Sequence, residues 1–458
     1  MRIFDFLNVS NERSIWADSG FHVQRNVIQE ILKKRDDIHF YLTVPFDQYP
    51  LVKPLESDRL TLLKYNYSSG SGHKFHFDTN QLWKLMDMWR RDYDLVICNE
   101  VILGNNFKNL FCYKSHFDIP IVNYVHWIDT SDDVTAQQWA MFSSIYWCYN
   151  TYCNSKYGKR LILDSATQVY NDDVFDEISK KLKILNVGFN DKELDEMKTT
   201  DKFDVPTLVF NHRISQYTGY ETLLKKCQKI WDDGVKFQLI FTNPSVSLTR
   251  SALGKYPFLK MKEGGYSYKE YIELLWKSDI CFGLHNGQNQ WSIAFLEALY
   301  CDNIPITSNK IFYPEMLGQD TYTLDDLQYV IENMGGLASK NFDLEKYKWK
   351  NLAMQYLEMY EWNINEYAKT ADKLKDVDKS KVLNDVKSLF AQRPIIGKDE
   401  ILRLRAKESG SGMGCQTPYS KYRRELLKIC DDVVEKDESM YRLKNMEKNP
   451  QKSVDWWI

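Results

Sequence analysis

The residues best placed to do chemistry lie between Leu274 and Leu317, in the stretch LLWKSDICFGLHNGQNQWSIAFLEALYCDNIPITSNKIFYPEML. Ile280-Cys281-Phe282-Gly283-Leu284 is a short apolar run of the kind that forms a parallel strand covered on both faces. A polar loop from His285 to Gln290 follows and runs into a helix beginning near Trp291-Ser292. Glu297 then stands one turn inside that helix, among Ala294, Leu296 and Leu299. A carboxylate near a helix N-terminus, just beyond a strand's carboxyl end, sits where open α/β sheets bind their ligands. Free backbone N–H groups there attract phosphate, and the carboxylate can accept hydrogen bonds from a ribose. The alternative is that Glu297 only caps or pairs on its own helix. The apolar step Ile304-Pro305-Ile306 and a polar loop ending in Tyr313-Pro314-Glu315 complete the block.

In these residues the block resembles the nucleotide-sugar-binding segment of retaining glycosyltransferases with the GT-B fold, of the GT4-like type. Phe295-Leu296-Glu297-Ala298-Leu299 followed by Ile304-Pro305-Ile306 matches the context of the second of the family's two Glu residues. The first position is Asn289 here, a departure at the residue that meets the sugar. The resemblance implies that Glu297 binds the nucleotide ribose, with Asn289, Trp291 and Ser292 beside it on the donor side. It also implies a basic pair that neutralises the diphosphate in the first loop of the second half. Arg213 fits the Arg, but Thr218-Gly219 stands where Lys-Gly is usual, and Lys225 is the nearest candidate. A departing diphosphate needs such charge as its bond to the sugar breaks. Gly264-Gly265 falls where the family places a loop near the base, with Gly265 the candidate, or is an ordinary turn. In the first half, His126 in Val-His-Trp-Ile-Asp matches the histidine that faces the transferred sugar, with a purely structural role left open. Asp129, Asp132 and Asp133 follow in a loop that either meets an acceptor, with Asp129 joining His126 in catalysis, or is a solvated turn. Gly20 either lets a ligand approach the backbone closely or serves a simple turn.

The elements that must position these residues read as an α/β chain of two Rossmann-like domains facing a cleft. Strands are expected at Arg2–Val9, His39–Val44, Tyr93–Asn99, Pro120–His126, Tyr146–Ser155 and Leu182–Val187, with an amphipathic helix at Phe21–Lys34. The second half opens with a strand at Val205–Phe210, a helix at Tyr220–Asp232 and a strand at Lys236–Thr242. These divisions give residues 1–187 as an acceptor domain and 188–345 as a nucleotide-sugar donor domain. Residues 346–390 form helices that cross back onto the first domain, by the same resemblance, with aromatics at core spacing. No GxGxxG follows the first strand, so a dinucleotide cofactor is not expected.

At 458 residues with a formal charge of −3, the chain can bury two or three cores and has no global attraction to polyanions. Nine cysteines without a CxxC pair read as reduced, buried thiols and argue against a secreted disulfide framework. No signal peptide and no apolar run of spanning length is visible, so a cytoplasmic enzyme is expected. A metal site is not expected, and the co-substrate is a nucleotide sugar, UDP-linked by resemblance, with no tightly bound cofactor.

Residues 391–458 fall outside the catalytic pattern. Residues 391–394 read as a linker, 398–407 as a helix, and Thr417-Pro418 as the cap and first turn of a second helix. Residues 391–430 carry nine Lys and Arg against four Asp and Glu, a net +5 in a chain that is negative overall. Gln416, Thr417, Tyr419, Lys421, Arg423 and Arg424 cluster around the second helix start, as in a helix-turn-helix-like DNA reader. A solvated charged helix or an oligomerisation arm is the alternative. A sugar transferase carrying such a basic module resembles the bacteriophage DNA glycosyltransferases, which glycosylate hydroxymethylated pyrimidines; the implied partner is double-stranded DNA, with the base flipped into the cleft. A bacterial glycan, lipid carrier, protein or tRNA acceptor remains the other reading.

Overall fold

The computed structural model describes residues 1–9, 14–66, 77, 81, 93–114, 119–128, 135–243, 255–287, 289–319, 321–337 and 342–373, with three short strands beyond. Two parallel sheets organise it. The first has seven strands in the order β3-β2-β1-β4-β5-β6-β7. These are β1 (Arg2–Phe6), β2 (His39–Pro45), β3 (Leu60–Tyr65), β4 (Leu95–Cys98), β5 (Ile121–Val125), β6 (Asn150–Cys153) and β7 (Leu182–Ile184). The second has five in the order β10-β9-β8-β11-β12: β8 (Thr207–Phe210), β9 (Gln238–Phe241), β10 (Leu259–Met261), β11 (Ile280–Gly283) and β12 (Ile304–Thr307). Strands β4, β5, β8 and β11 are buried at every position, as sheets covered on both faces require. Both sheets start near the middle, wind outward and then reverse. Each therefore has a switch point, between β1 and β4 and between β8 and β11, and the crevice at the carboxyl ends there is where such sheets take ligands.

The helices that matter for the site are α1 (Ser19–Lys34), α2 (Ala136–Trp147), α3 (Lys156–Thr167), α4 (Asp191–Glu196), α5 (Tyr220–Asp232), α6 (Tyr268–Lys277), α7 (Ile293–Tyr300), α8 (Tyr313–Leu317) and α9 (Trp349–Lys373). Helix α9 buries its aromatic face against the first sheet. Tyr356 stacks on Tyr124 at 6.1 Å, Tyr360 meets Phe40 edge-on at 6.2 Å, and Asn363 bonds Asn150 and Tyr152 at 2.7 and 2.9 Å.

Several expectations are corrected. Tyr146 and Trp147 end α2, because a Thr135–Gln138 capping box starts that helix and it runs on to Cys148; the strand begins only at Asn150. Tyr313-Pro314-Glu315 is not loop but the start of α8, with Pro in the first turn and Tyr313 fully buried. Gly283 is there because a Cβ would come 2.5 Å from the Tyr313 ring. The sheet edges β3 and β10 were not among the expected strands. The C-terminal module is not simply helical. Its described residues are three strands, β13 (Ile395–Gly397), β14 (Val434–Asp437) and β15 (Met440–Leu443), paired antiparallel in the order β13-β15-β14. The helices expected at 398–407 and after Thr417 lie outside the described residues.

Among the described residues, six cysteines are free and all are buried. No helix there is long and apolar enough to cross a membrane, and no group of three or more metal-ligating side chains comes together.

Candidate functional site

At the second switch point a chain of buried polar groups runs across three elements. Asn211 follows β8, and its Nδ2 donates to Ala294 O at 2.6 Å and to the Tyr271 hydroxyl at 3.1 Å. That hydroxyl donates to Glu297 Oε2 at 2.8 Å. Glu297 is only 7% exposed, and burial pushes its carboxyl up to about 7, against the Tyr271 bond and with a smaller push from Glu193. A carboxyl poised near neutrality, with one oxygen held from behind, can offer the other to the hydroxyls of a vicinal diol.

The neighbouring loop joins β8 to α5. Arg213 is exposed on it, and no described carboxylate pairs with it. Thr218 turns inward, donating to Ser215 O at 2.6 Å, so its hydroxyl serves the turn. Gly219 has φ 75°, and a Cβ there would come 2.7 Å from Leu284 O. The glycine thus lets α5 begin hard against the end of β11, leaving its N-terminal N–H groups beside the crevice. Lys225 lies five residues into α5, on the solvent face opposite buried Leu223, Cys227 and Ile230. Behind the loop, His212 Nε2 donates to Phe282 O at 2.6 Å and packs 4.3 Å from the His285 ring. Burial holds His212 down at about 4 and His285 well below its usual range, so both are neutral packing groups.

The step from β11 into α7 carries Asn289, Trp291 and Ser292. Asn289 is half-buried in the loop. Ser292 is the N-cap of α7, accepting from Phe295 N at 3.2 Å, and Trp291 Nε1 donates to Val187 O at 2.7 Å. Both of these side chains are buried, and Trp291 ties the second half of the chain to the strand exit of the first. Gly265 closes a tight turn after β10, with φ 79° and its N–H donating to Lys262 O at 3.1 Å.

At the first switch point, His126 stands at the end of β5. Its Nε2 lies 3.2 Å from Asn99 Oδ1, which also accepts from Gln24 Nε2 at 2.7 Å. Asn99 Nδ2 donates to Asp5 Oδ1 at 2.6 Å and to Phe6 O at 3.0 Å. Burial pushes the Asp5 carboxyl up to about 8, opposed by the Asn99 bond. Gly20 lies in the first turn of α1, whose cap Asp18 accepts from Phe21 N; a Cβ on Gly20 would come 2.9 Å from Leu7 Cδ1. Close helix–strand packing is what the missing side chain serves there.

Hydrogen bonds join the loops at the carboxyl ends of the two sheets. Ser155 Oγ donates to Gln290 O at 2.8 Å, and the N–H of Lys156, at the start of α3, donates to the Glu315 carboxylate at 2.8 Å. Glu193 on the connecting α4 accepts from Arg25 of α1 and Tyr268 of α6, both at 2.9 Å. Asp129 and the whole set Gln416, Thr417, Tyr419, Lys421, Arg423 and Arg424 lie outside the described residues.

The sequence reading missed Tyr271, Asn211, Asp5, Asn99 and Gln24. The only signal for them was polar residues at strand ends, which Asn99 and Asn211 share.

No protein-family model and no curated protein matches the sequence. Solved structures match the architecture. A glycosyltransferase from Rickettsia africae superposes with TM-score 0.54 at 12% identity, over 79% of this chain and 98% of that one. The Escherichia coli trehalose-6-phosphate protein bound with UDP-2-fluoro glucose gives 0.53 at 11%, over 82% and 99%. Anabaena HepE in complex with UDP and glucose gives 0.50 at 12%, over 82% and all of that chain. The fold is GT-B. The GT-B body spans the two sheets and α9, and the coverage leaves about a fifth of this chain without a counterpart in those structures.

Proposed function

We propose that this protein is a glycosyltransferase that moves a sugar from a nucleotide sugar, UDP-linked, to the hydroxymethyl group of a modified pyrimidine in DNA, with retention at the anomeric carbon. The observation that carries the transferase reading is the Asn211–Tyr271–Glu297 chain at the switch point of the second sheet, with Arg213 exposed on the adjoining loop. In this reading Glu297 accepts from the ribose hydroxyls. Arg213 and the start of α5 meet the diphosphate, with Asn289 near the sugar. The bond from the anomeric carbon to the diphosphate breaks and UDP leaves with the electron pair. The hydroxymethyl oxygen bonds to that carbon and gives up its proton. Neighbours of the same fold bind UDP, glucose and UDP-2-fluoro glucose, which supports a UDP-sugar donor. His126 at the opposing switch point faces the transferred sugar, and Asp129 joins it on the acceptor side.

The DNA acceptor rests on the net +5 of residues 391–430, appended to a body that is negative overall. Lys421, Arg423 and Arg424 contact phosphate there, and Gln416 reaches base edges. The test of the donor half is calorimetric titration with UDP. Wild type binds, while Glu297→Ala and Arg213→Ala bind at least tenfold more weakly, Arg213→Ala with unchanged melting behaviour. Equal binding by all three overturns the site.

A further inference from the structure

We infer that Asn99 is a positioning residue for His126, an inference that rests on the proposed role of His126 at the transferred sugar. The amide of Asn99 has one orientation open to it. Phe6 O can only accept, so the group 3.0 Å from it must be Nδ2, which also meets Asp5 Oδ1 at 2.6 Å. Oδ1 therefore faces Gln24 and His126, at 2.7 and 3.2 Å. Gln24 Nε2 is a donor, so all four hydrogen-bonding positions of Asn99 are used. An acceptor opposite His126 Nε2 requires that nitrogen to carry the proton, which makes Nδ1 the acceptor of the neutral ring.

The network is built for this one outcome. Asp5, Gln24 and Asn99 are all at most 1% exposed and come from β1, α1 and the end of β4. Three elements thus converge on one side-chain amide, which bonds only one further side chain, the half-buried His126. Tyr124 packs 4.6 Å from the His126 ring and is itself pinned by its hydroxyl to Leu185 O. The imidazole is therefore held in tautomer and in plane. The group opposite Nε2 is a neutral amide, which in turn bonds the buried Asp5 carboxyl. Such a ring acts as an oriented hydrogen-bonding group toward a sugar or acceptor hydroxyl.

Nitrogen NMR of histidine-labelled protein reads this directly, and the wild-type spectrum needs no variant. We expect a single neutral tautomer for His126, Nε2–H, assigned by its loss in His126→Gln. Asn99→Ala should mix the tautomers and lower kcat on the order of a hundredfold, with the donor KM within twofold. A wild-type ring protonated on Nδ1, or an Asn99→Ala ring with the wild-type tautomer, overturns the inference. The expected tautomer together with undiminished transfer by His126→Gln shows that the functional reading of His126 has failed, and the catalytic role of Asn99 with it.

Discussion

Tyr271 donates its hydroxyl proton to Glu297 Oε2 at 2.8 Å while accepting from Asn211 at 3.1 Å. One buried carboxyl is thereby fixed where the end of β8, the first turns of α6 and the body of α7 meet. Its direction is a consequence of that contact, while its ionisation near neutrality comes from burial, which the contact partly offsets.

The first expectation concerns pH. With the Glu297 carboxyl pushed up to about 7, donor kcat/KM should fall as pH drops through 7, because the protonated form no longer accepts from both ribose hydroxyls. Tyr271→Phe removes the bond that holds the value down, so the acid limb should move upward. Glu297→Gln should flatten it. A pH profile of the three proteins checks this, and an unmoved limb in Glu297→Gln contradicts it.

Arg213 offers a cleaner separation of chemistry from stability. It is exposed and bonded to no described group, so Arg213→Ala should leave the melting temperature unchanged. It should nevertheless lower kcat by about 10²–10³, the usual loss when a group stabilising developing charge is removed. Lys225→Ala, on the solvent face of α5, should change kcat less than twofold. Steady-state kinetics on both variants decide between Arg213 and Lys225 as the diphosphate partner.

Trp291 should behave in the opposite way. Trp291→Phe loses the bond to Val187 O and should cost about 1 kcal/mol of stability, read by denaturant unfolding, with donor KM little changed. A large KM effect at constant stability would make Trp291 a ligand contact.

Asp5 carries a stability signature. Its folded value is about 8 against 3.8 in the unfolded chain, so between these limits the native state binds more protons than the unfolded one. Stability is then fullest below pH 3.8 as far as this group is concerned and is lost as pH rises toward 8. Asp5→Asn cannot ionise, so the stability of wild type relative to it should fall by a few kcal/mol across that window. Denaturant melts at several pH values measure this; a pH-independent difference contradicts it.

Much of this architecture is legible in the sequence. The central strands β1, β2, β4, β5, β8 and β11 are mostly apolar, with few polar interruptions such as Asp5 and Asn123, and Gly219 and an amphipathic stripe mark the helix Tyr220–Asp232. The edges were harder to see. β3 pairs on one side only, so its sequence, with Lys64 exposed, lacks the uniform apolar signal. Glu297 was legible because its local context is informative. Tyr271 and Asn99 were not, because their meaning comes from partners 26 and 94 residues away. Trp291 and Ser292 read as donor-side residues, and the structure adds that they bond the domain junction and cap a helix, which spacing alone does not show.

The basic module supplies the last expectation before the central one. If Lys421, Arg423 and Arg424 contact phosphate, replacing all three by Ala should reduce the slope of log affinity for DNA against log salt by about three. An unchanged slope would assign the module to something other than nucleic acid.

The measurement that tests the central claim most directly is transfer of radiolabelled sugar from a panel of UDP-sugars onto hydroxymethylated DNA, with unmodified DNA and tRNA in parallel. We expect label on hydroxymethylated DNA alone, lost in Glu297→Ala. Donor hydrolysis with no label on any nucleic acid would contradict the DNA acceptor, and the absence of both hydrolysis and transfer with every donor would contradict the transferase itself.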